Sequence, residues 1–552
     1  MSSEVARDET GAEPARDESA RDEPHDDPDG DGPDGDEPAG SRRSRPWWLT
    51  RQTLGLVLGP VGFLLVLVLA PFGLEPAATA VLAGTLWVVV WWVTEAIPIP
   101  GTSLLPIVLF PLTGAMGVGE TTAPYADPIV FLLLGGFLIA LAVERWNLHH
   151  RLSLLIIRAV GIGANRLVLG FMAATGFLSM WISNTATAMM MVPIGAAVIA
   201  ELTTVAGRRR PVLDHDDLEE PNEPDDVIGE LVHPIDTDPE DLPNTTFGIA
   251  LMLGIAFGAS IGGAATLIGS PPNAVLAGVA ETNLGIEVGF LEWMLVGVPV
   301  AVVFLPLAWG ILILTLRPEI TKRPKRDDVI GEQLRALGSM TTGERRVLAV
   351  FGLVAAGWIT RPFLIQPYAP MITDAVIAVI GAILMFVVPV GRDERLLDWT
   401  YTSRLPWGVL LLLGAGFAIA NGFQTSGLDV AIADAIGGLG ITELATMVLL
   451  VTAVVIVLTN VTSNTATASL FMPIALSVGL AIGVSPLTLM AAVAFAASFA
   501  FVLPVATAPN AIVFASGYLT IPTMVRVGVP LTLAAIAVIT VATTFWVPIV
   551  WG

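Results

Sequence analysis

Ser183-Asn184-Thr185-Ala186-Thr187-Ala188 recurs as Ser463-Asn464-Thr465-Ala466-Thr467-Ala468, 280 positions further on. The same offset carries Pro193-Ile194 onto Pro473-Ile474 and sets a hydroxyl residue four positions ahead of each copy, Ser179 and Thr459. Apolar arms of roughly 15 residues flank each copy and reach about 22 Å at ~1.5 Å per residue, short of the ~30 Å hydrocarbon core. The spacing predicts two re-entrant hairpins, over 166–200 and 440–481, each turning at its Ser-Asn-Thr near mid-membrane. A bent single span is the plainer alternative. Small polar side chains in apolar surroundings cost free energy unless they find partners. A polar helix–helix contact would satisfy one such motif, but chance does not reproduce two motifs at one offset.

Working outward, the register holds for Gly135-Gly136-Phe137-Leu138-Ile139-Ala140 against Ala415-Gly416-Phe417-Ala418-Ile419-Ala420, and for Leu148 against Leu428. Behind each hairpin an apolar run is interrupted, by Gly269-Ser270-Pro271-Pro272-Asn273 and by Ala506-Thr507-Ala508-Pro509-Asn510. The two prolines Pro271 and Pro272 cannot both continue a helix, so the backbone unwinds there, and Ala506-Thr507-Ala508-Pro509-Asn510 is the partner break in the second half; both runs, 247–285 and 486–520, read as broken helices. Their offset is 237, and the missing 43 positions correspond to an acidic insert of about 40 residues over 207–246.

The chain has 552 residues, 54% hydrophobic and only 14% charged, where soluble domains carry roughly 25% charge. It reads as an all-α polytopic membrane protein with a two-fold repeat; barrel-type alternation is missing from the sequence. The formal charge of −22 lies in two places, −12 in residues 1–40 and −10 in 207–246. The tail, 1–46, is low-complexity and has no early apolar core, so it reads as a solvated segment and not a signal peptide. Arg42, Arg43, Arg45 and Arg51 beside the first apolar run put the N-terminus in the cytoplasm. Scaffold helices are expected over 47–165 and 286–439 and a last span over 529–552. Cysteine does not occur, which excludes disulfide and thiol chemistry. Two Lys, many Arg and the acidic appendages suggest a halophile.

Paired broken helices with polar tips at mid-membrane are the pattern of secondary transporters. A half-helix starting at such a tip presents free N–H groups and partial positive charge to an anion. Unwound carbonyls and hydroxyls suit a hard cation such as sodium. No Lys, Arg, His, Asp or Glu lies in either motif or either break, and the five His fall in tails or loops. Histidine catalysis, a buried metal cluster and carboxylate proton coupling are therefore not expected. An uncharged cage holding a dianion needs countercharge, which bound sodium would supply.

This ordered set, with Trp92-Val93-Thr94-Glu95-Ala96-Ile97-Pro98 and Leu503-Pro504-Val505 before the second break, resembles the divalent anion/sodium symporter family over about residues 50–552. The resemblance implies a multi-pass plasma-membrane homodimer, with an inverted repeat and an elevator-type transport domain moving against a scaffold. It implies co-transported sodium, a small divalent carboxylate, no organic cofactor, no nucleic-acid partner and no enzymatic activity. One sodium site would use Ser179, Ser183, Asn184 and Gly269, the other Thr459, Thr462, Asn464 and Ala506. The substrate would meet Ser183, Asn184, Thr185, Ser270, Pro271, Ser463, Asn464, Thr465, Thr507 and Ala508. Ala508 stands where the family has a second Pro. Two intact Ser-Asn-Thr motifs resemble the C4-dicarboxylate members (succinate, malate, fumarate). Sodium-independent exchange, or transport of sulfate or citrate, is the alternative.

Overall fold

The computed structural model describes residues 50–161, 163–203, 245–318, 329–392, 394–437 and 443–552. The acidic tail, nearly all of the acidic insert and the basic loop around Lys322 and Lys325 lie outside the described residues. Trp47–Gly552 forms a single unit. Among the described residues the regular structure is helical, apart from one isolated bridge between Pro389 and Arg395. Among the described residues ten helical segments are long and apolar enough to cross a membrane.

The principal helices, in chain order, are α1 (Arg51–Leu69), α2 (Pro76–Thr94), α3 (Leu105–Leu112), α4 (Pro128–Arg145), α5 (Leu148–Val160), α6 (Ala164–Ser179), α7 (Asn184–Thr203), α8 (Thr246–Gly263), α9 (Pro271–Leu284) and α10 (Phe290–Leu316). They continue with α11 (Thr342–Thr360), α12 (Asp374–Val387), α13 (Trp407–Ser426), α14 (Leu428–Gly437), α15 (Leu444–Thr459), α16 (Asn464–Ala481), α17 (Pro486–Ser498), α18 (Ala508–Ala515) and α19 (Ile521–Val541). The 280-residue register survives in three dimensions: α5 and α14 begin at Leu148 and Leu428, α6 and α15 end at Ser179 and Thr459, and α7 and α16 begin at Asn184 and Asn464.

The arms of the hairpins are unequal. The first arms, α6 and α15, have 16 residues each, but the second, α7 and α16, run through Pro193 and Pro473 to 20 and 18 residues. The expectation of uniformly short arms fails there. A proline in a helix interior removes one hydrogen bond without forcing a stop when neighbours pack around it.

α8 forms the centre of the first half. It is buried along nearly its whole length and packs against α6, α7 and α10. Gly254, Gly258 and Gly262 line its face toward α6. A Cβ on Gly258 would lie 2.8 Å from the Met172 carbonyl oxygen, and one on Gly262 would overlap the Gly176 carbonyl. Small residues at this spacing let two backbones touch, which drives helix association where lipid gives no hydrophobic incentive. The second half repeats the plan, with α17 against α15 and α16.

The two halves then interlock. α9 leaves the first break and packs on α16 and α17, while α18 leaves the second break and packs on α7 and α8. α10 lies beneath both breaks. Trp293 stacks on Phe495 with ring centroids 5.4 Å apart, and Phe304 on Phe499 at 5.0 Å. Ion pairs, two of them with both partners largely buried, fix the surrounding helices. Arg151 of α5 meets Glu344 of α11 at 2.8 Å. Arg361, after α11, meets Glu287 at 2.5 Å and Asp374 of α12 at 3.4 Å. Glu95 ends α2 in the left-handed region and pairs with Arg51 at 2.9 Å, a structural carboxylate at the surface.

We expect Gly258→Ala and Gly262→Ala each to cost ~1–3 kcal/mol through overpacking and to lower the melting temperature of purified protein. Gly310→Ala, where nothing lies within 4 Å of the added Cβ, should leave it unchanged.

Candidate functional site

Four helices begin at the polar breaks: α7 at Asn184, α9 at Pro271, α16 at Asn464 and α18 at Ala508. Their caps come from the sequence itself. Ser270, Ser463 and Thr507 sit at the N-cap position in extended conformation. Pro271 and Pro272 open α9, and Pro509 is the second residue of α18; proline there presets the helical φ and removes an N–H that would have no partner. Thr507 caps its own helix, accepting from the Asn510 N–H at 3.2 Å. Ser463 makes no side-chain cap bond, so the first N–H groups of α16 remain available to an anion; α9 opens with two prolines, and its first N–H, on Asn273, donates to the Ser270 carbonyl at 3.1 Å.

At the first hairpin, the Ser179 hydroxyl donates to Asn184 Oδ1 at 2.5 Å. The same atom lies 3.2 Å from the Gly269 carbonyl oxygen and 3.1 Å from that of Ala259. Four oxygens therefore converge from a hairpin tip and a broken helix, with one hydroxyl hydrogen among them. Two chemistries satisfy such a group: a turned amide, whose NH2 donates to the two carbonyls, or a small hard cation between the oxygens. Gly263 makes the approach possible, because a Cβ there would overlap Asn184 Oδ1. At the second hairpin, Thr459 Oγ1 lies 2.8 Å from Asn464 Oδ1 and 2.9 Å from the Ala497 carbonyl oxygen. One hydroxyl hydrogen again faces two acceptors.

The two clusters are joined. Gly269 in the first leads to Ser270, whose Oγ lies 3.0 Å from Ser498 Oγ. Ser498 follows Ala497, which belongs to the second cluster. Hydrogen bonds, single peptide steps and the close approach of Asn184 Oδ1 to the Gly269 carbonyl oxygen thus connect Asn184 to Asn464 without a charged side chain. Thr462 faces elsewhere, with its hydroxyl on the Leu458 carbonyl at 2.9 Å and on Thr467 Oγ1 at 2.6 Å; only its backbone remains to serve the second cluster. No described bond joins Thr185 or Thr465 side chains to the clusters.

Several residues escaped the sequence reading. Thr266 donates its hydroxyl to the Met180 carbonyl and accepts from the Gly269 N–H at 3.1 Å, tying the first break to its hairpin. In the second half, Asn460 ties the corresponding junction from the hairpin side: its Oδ1 accepts from Val502 N at 3.0 Å. α10 and α19 brace the breaks from behind. Trp293 donates its indole N–H to the Ala264 carbonyl at 3.0 Å, and a Cβ on Gly528 of α19 would overlap the Phe501 carbonyl. Only the offset between Met180 and Asn460 hinted at any of this. His149 and His150 also depart from expectation, lying in α5 rather than in a loop. His149 is buried, 3.4 Å from the Val143 carbonyl oxygen, and burial pushes its pKa down to about 4. It is neutral near pH 7 and touches neither break. Among the described residues no group of three or more His, Asp or Glu could hold a metal ion.

Comparison with known proteins settles the kinship. Residues 51–552 match the family described as "Sodium:sulfate symporter transmembrane region". The chain belongs to this family. Its relatives include the "Sodium-dependent dicarboxylate transporter SdcS" of Staphylococcus saprophyticus, 42% identical over 509 residues and covering 91% of this chain and 92% of that one. The transporter of the same name from Staphylococcus aureus strain MRSA252 is 40% identical over 519 residues, covering 93% and 94%. Among solved structures, the Alcanivorax borkumensis YdaH transporter matches with a TM-score of 0.48 and 14% identity, covering 79% of this chain and 88% of that one.

Asn460→Ala would strand the Val502 N–H in a buried setting, at a cost of ~1–3 kcal/mol. The expected result is a lower melting temperature in sodium-free buffer.

Proposed function

We propose that this family member is a secondary transporter coupling sodium to a small dicarboxylate, of the C4 class to which succinate, malate and fumarate belong. The observation that carries the reading is the charge-free polar path from Asn184 to Asn464, fringed by four helix N-termini. Helix N-termini favour the two carboxylates. The oxygen clusters favour alkali cations. Neither suffices alone, since the site holds no fixed countercharge. At an effective dielectric of ~20, unit charges ~4 Å apart attract by about 4 kcal/mol. Sodium and dianion therefore each bind better when the other is present, and that mutual dependence is coupling. The names carried by relatives at 40–42% identity support the same reading.

In this proposal one sodium is bound by Ser179, Ser183, Asn184 and Gly269, the other by Thr459, Asn464, Ala506 and the backbone at Thr462. The substrate lies between Ser183-Asn184-Thr185 and Ser463-Asn464-Thr465, with Ser270, Pro271, Thr507 and Ala508 at the helix starts. Counting the α8–α9 pair as one crossing and the 14-residue α12 as another beside the longer α10, α11 and α13, we infer five crossings between the two hairpins. An odd number sends the hairpins in from opposite faces, the inverted arrangement that alternating access requires. The hairpins, the broken helices, α10 and α19 would move as one body in an elevator. The remaining helices would be the scaffold and would pair two copies in the plasma membrane, with the N-terminus cytoplasmic. Sodium-independent exchange is the second reading; it corresponds to the turned Asn184 amide, which closes the first cluster without a cation.

In proteoliposomes we expect succinate uptake in sodium and little in lithium or choline. Asn184→Ala and Asn464→Ala should abolish the sodium-dependent component while the protein still elutes as a single folded species. Equal uptake in all three cations would favour exchange; unchanged uptake in both variants would remove these residues from the site.

A further inference from the structure

Two asparagines outside the proposed ligand set repeat one another across the halves. Asn273 is the third residue of α9, and Asn510 the third of α18. Both are fully buried. Asn273 Nδ2 donates to the carbonyl oxygens of Gly263, at 3.0 Å, and Thr266, at 2.7 Å. Asn510 Nδ2 donates to those of Ala500, at 3.1 Å, and Leu503, at 3.0 Å. The acceptors stand ten and seven positions upstream in both cases. No described residue donates to either amide oxygen, so the NH2 is the working end.

The geometry points to a role for this pair: we propose that Asn273 and Asn510 are positioning residues, each setting the shape of one cation-binding loop, the first for the cluster at Asn184 and the second for the cluster at Asn464. The inference rests on the functional reading above. A broken helix leaves carbonyls without partners at the end of its first half. Here one amide, carried on the second half, reaches back over the break and holds two of them. The length and angle of the unwound segment are fixed as a result. Gly269 lies within the first segment, and Ala506 within the second. Gly263 shows how closely brace and cluster are coupled: its carbonyl accepts from Asn273, that oxygen lies 2.6 Å from where a Gly269 Cβ would stand, and its own Cβ position meets Asn184. A hard cation needs its carbonyl ligands at nearly fixed distances, so a loop free to drift binds it weakly. The substrate meets each loop only at its end, through Ser270, Pro271, Thr507 and Ala508, and is held besides by both Ser-Asn-Thr motifs, so it depends less on either loop.

The test is a sodium titration of the full-length protein, read as uptake in proteoliposomes and as thermal stabilisation in detergent. Asn273→Leu and Asn510→Leu keep the approximate size and shape, add no charge and offer the two carbonyls no donor. Asn273→Ser and Asn510→Ser, which retain one donor, serve if a Leu variant does not fold. Losing these bonds should raise the half-saturating sodium concentration about tenfold or more in the Leu variants and less in the Ser variants. Half-saturating succinate, measured at saturating sodium, should stay within about twofold. A purely structural role would lower the melting temperature and maximal rate while leaving the sodium midpoint in place. That result, with sodium-dependent uptake by the unmodified protein, overturns this inference alone. Sodium-independent uptake by the unmodified protein overturns the functional reading and this inference together.

Discussion

Interrupting a helix inside a membrane exposes backbone groups that neither lipid nor water can satisfy, and everything distinctive in this chain follows from how four such interruptions are partnered. The short side chains of Ser, Thr and Asn do the work. Thr266 and Asn460 tie each break to its hairpin, and Asn273 and Asn510 hold the two halves of each broken helix together. These partners are neutral, and that matters. A charged brace would fix the potential of the site permanently, whereas an uncharged one leaves it to be set by whatever ions enter.

The interlocking of the halves explains why one polar path can serve both. Each broken helix begins beside its own hairpin and ends beside the other one. Movement of one half relative to the other would separate α9 from α16 and α18 from α7, so the four elements are suited to travel together. Glycine contacts between α6 and α8 and the aromatic stack beneath the breaks pack that assembly closely. By contrast, α1 and α11 expose most of their surface, as helices facing lipid or a second copy would.

Membrane class, the two-fold repeat, the positions of all four breaks and the uncharged character of the site were legible in the sequence. Repetition reports on the fold directly: a motif returning at a fixed offset must occupy equivalent places. The insert could be recognised because it shifted one offset and not the other. Arm length was less legible, because helix continuation through Pro193 and Pro473 depends on neighbours that the local sequence does not name. The location of His149 on the buried face of a helix was hidden for the same reason.

What the sequence determined by itself is the set of backbone irregularities, since proline, glycine and small hydroxyl residues act on their own few bonds. Which oxygens meet was decided only by tertiary packing. Asn184 reaches Gly269 and Ala259, and Ser270 reaches Ser498, across separations of 75 to 228 positions. Nothing in a local stretch encodes such encounters. They arise because close helix contacts leave each amide one place to go, and in a medium without water a polar group takes whatever partner the packing brings.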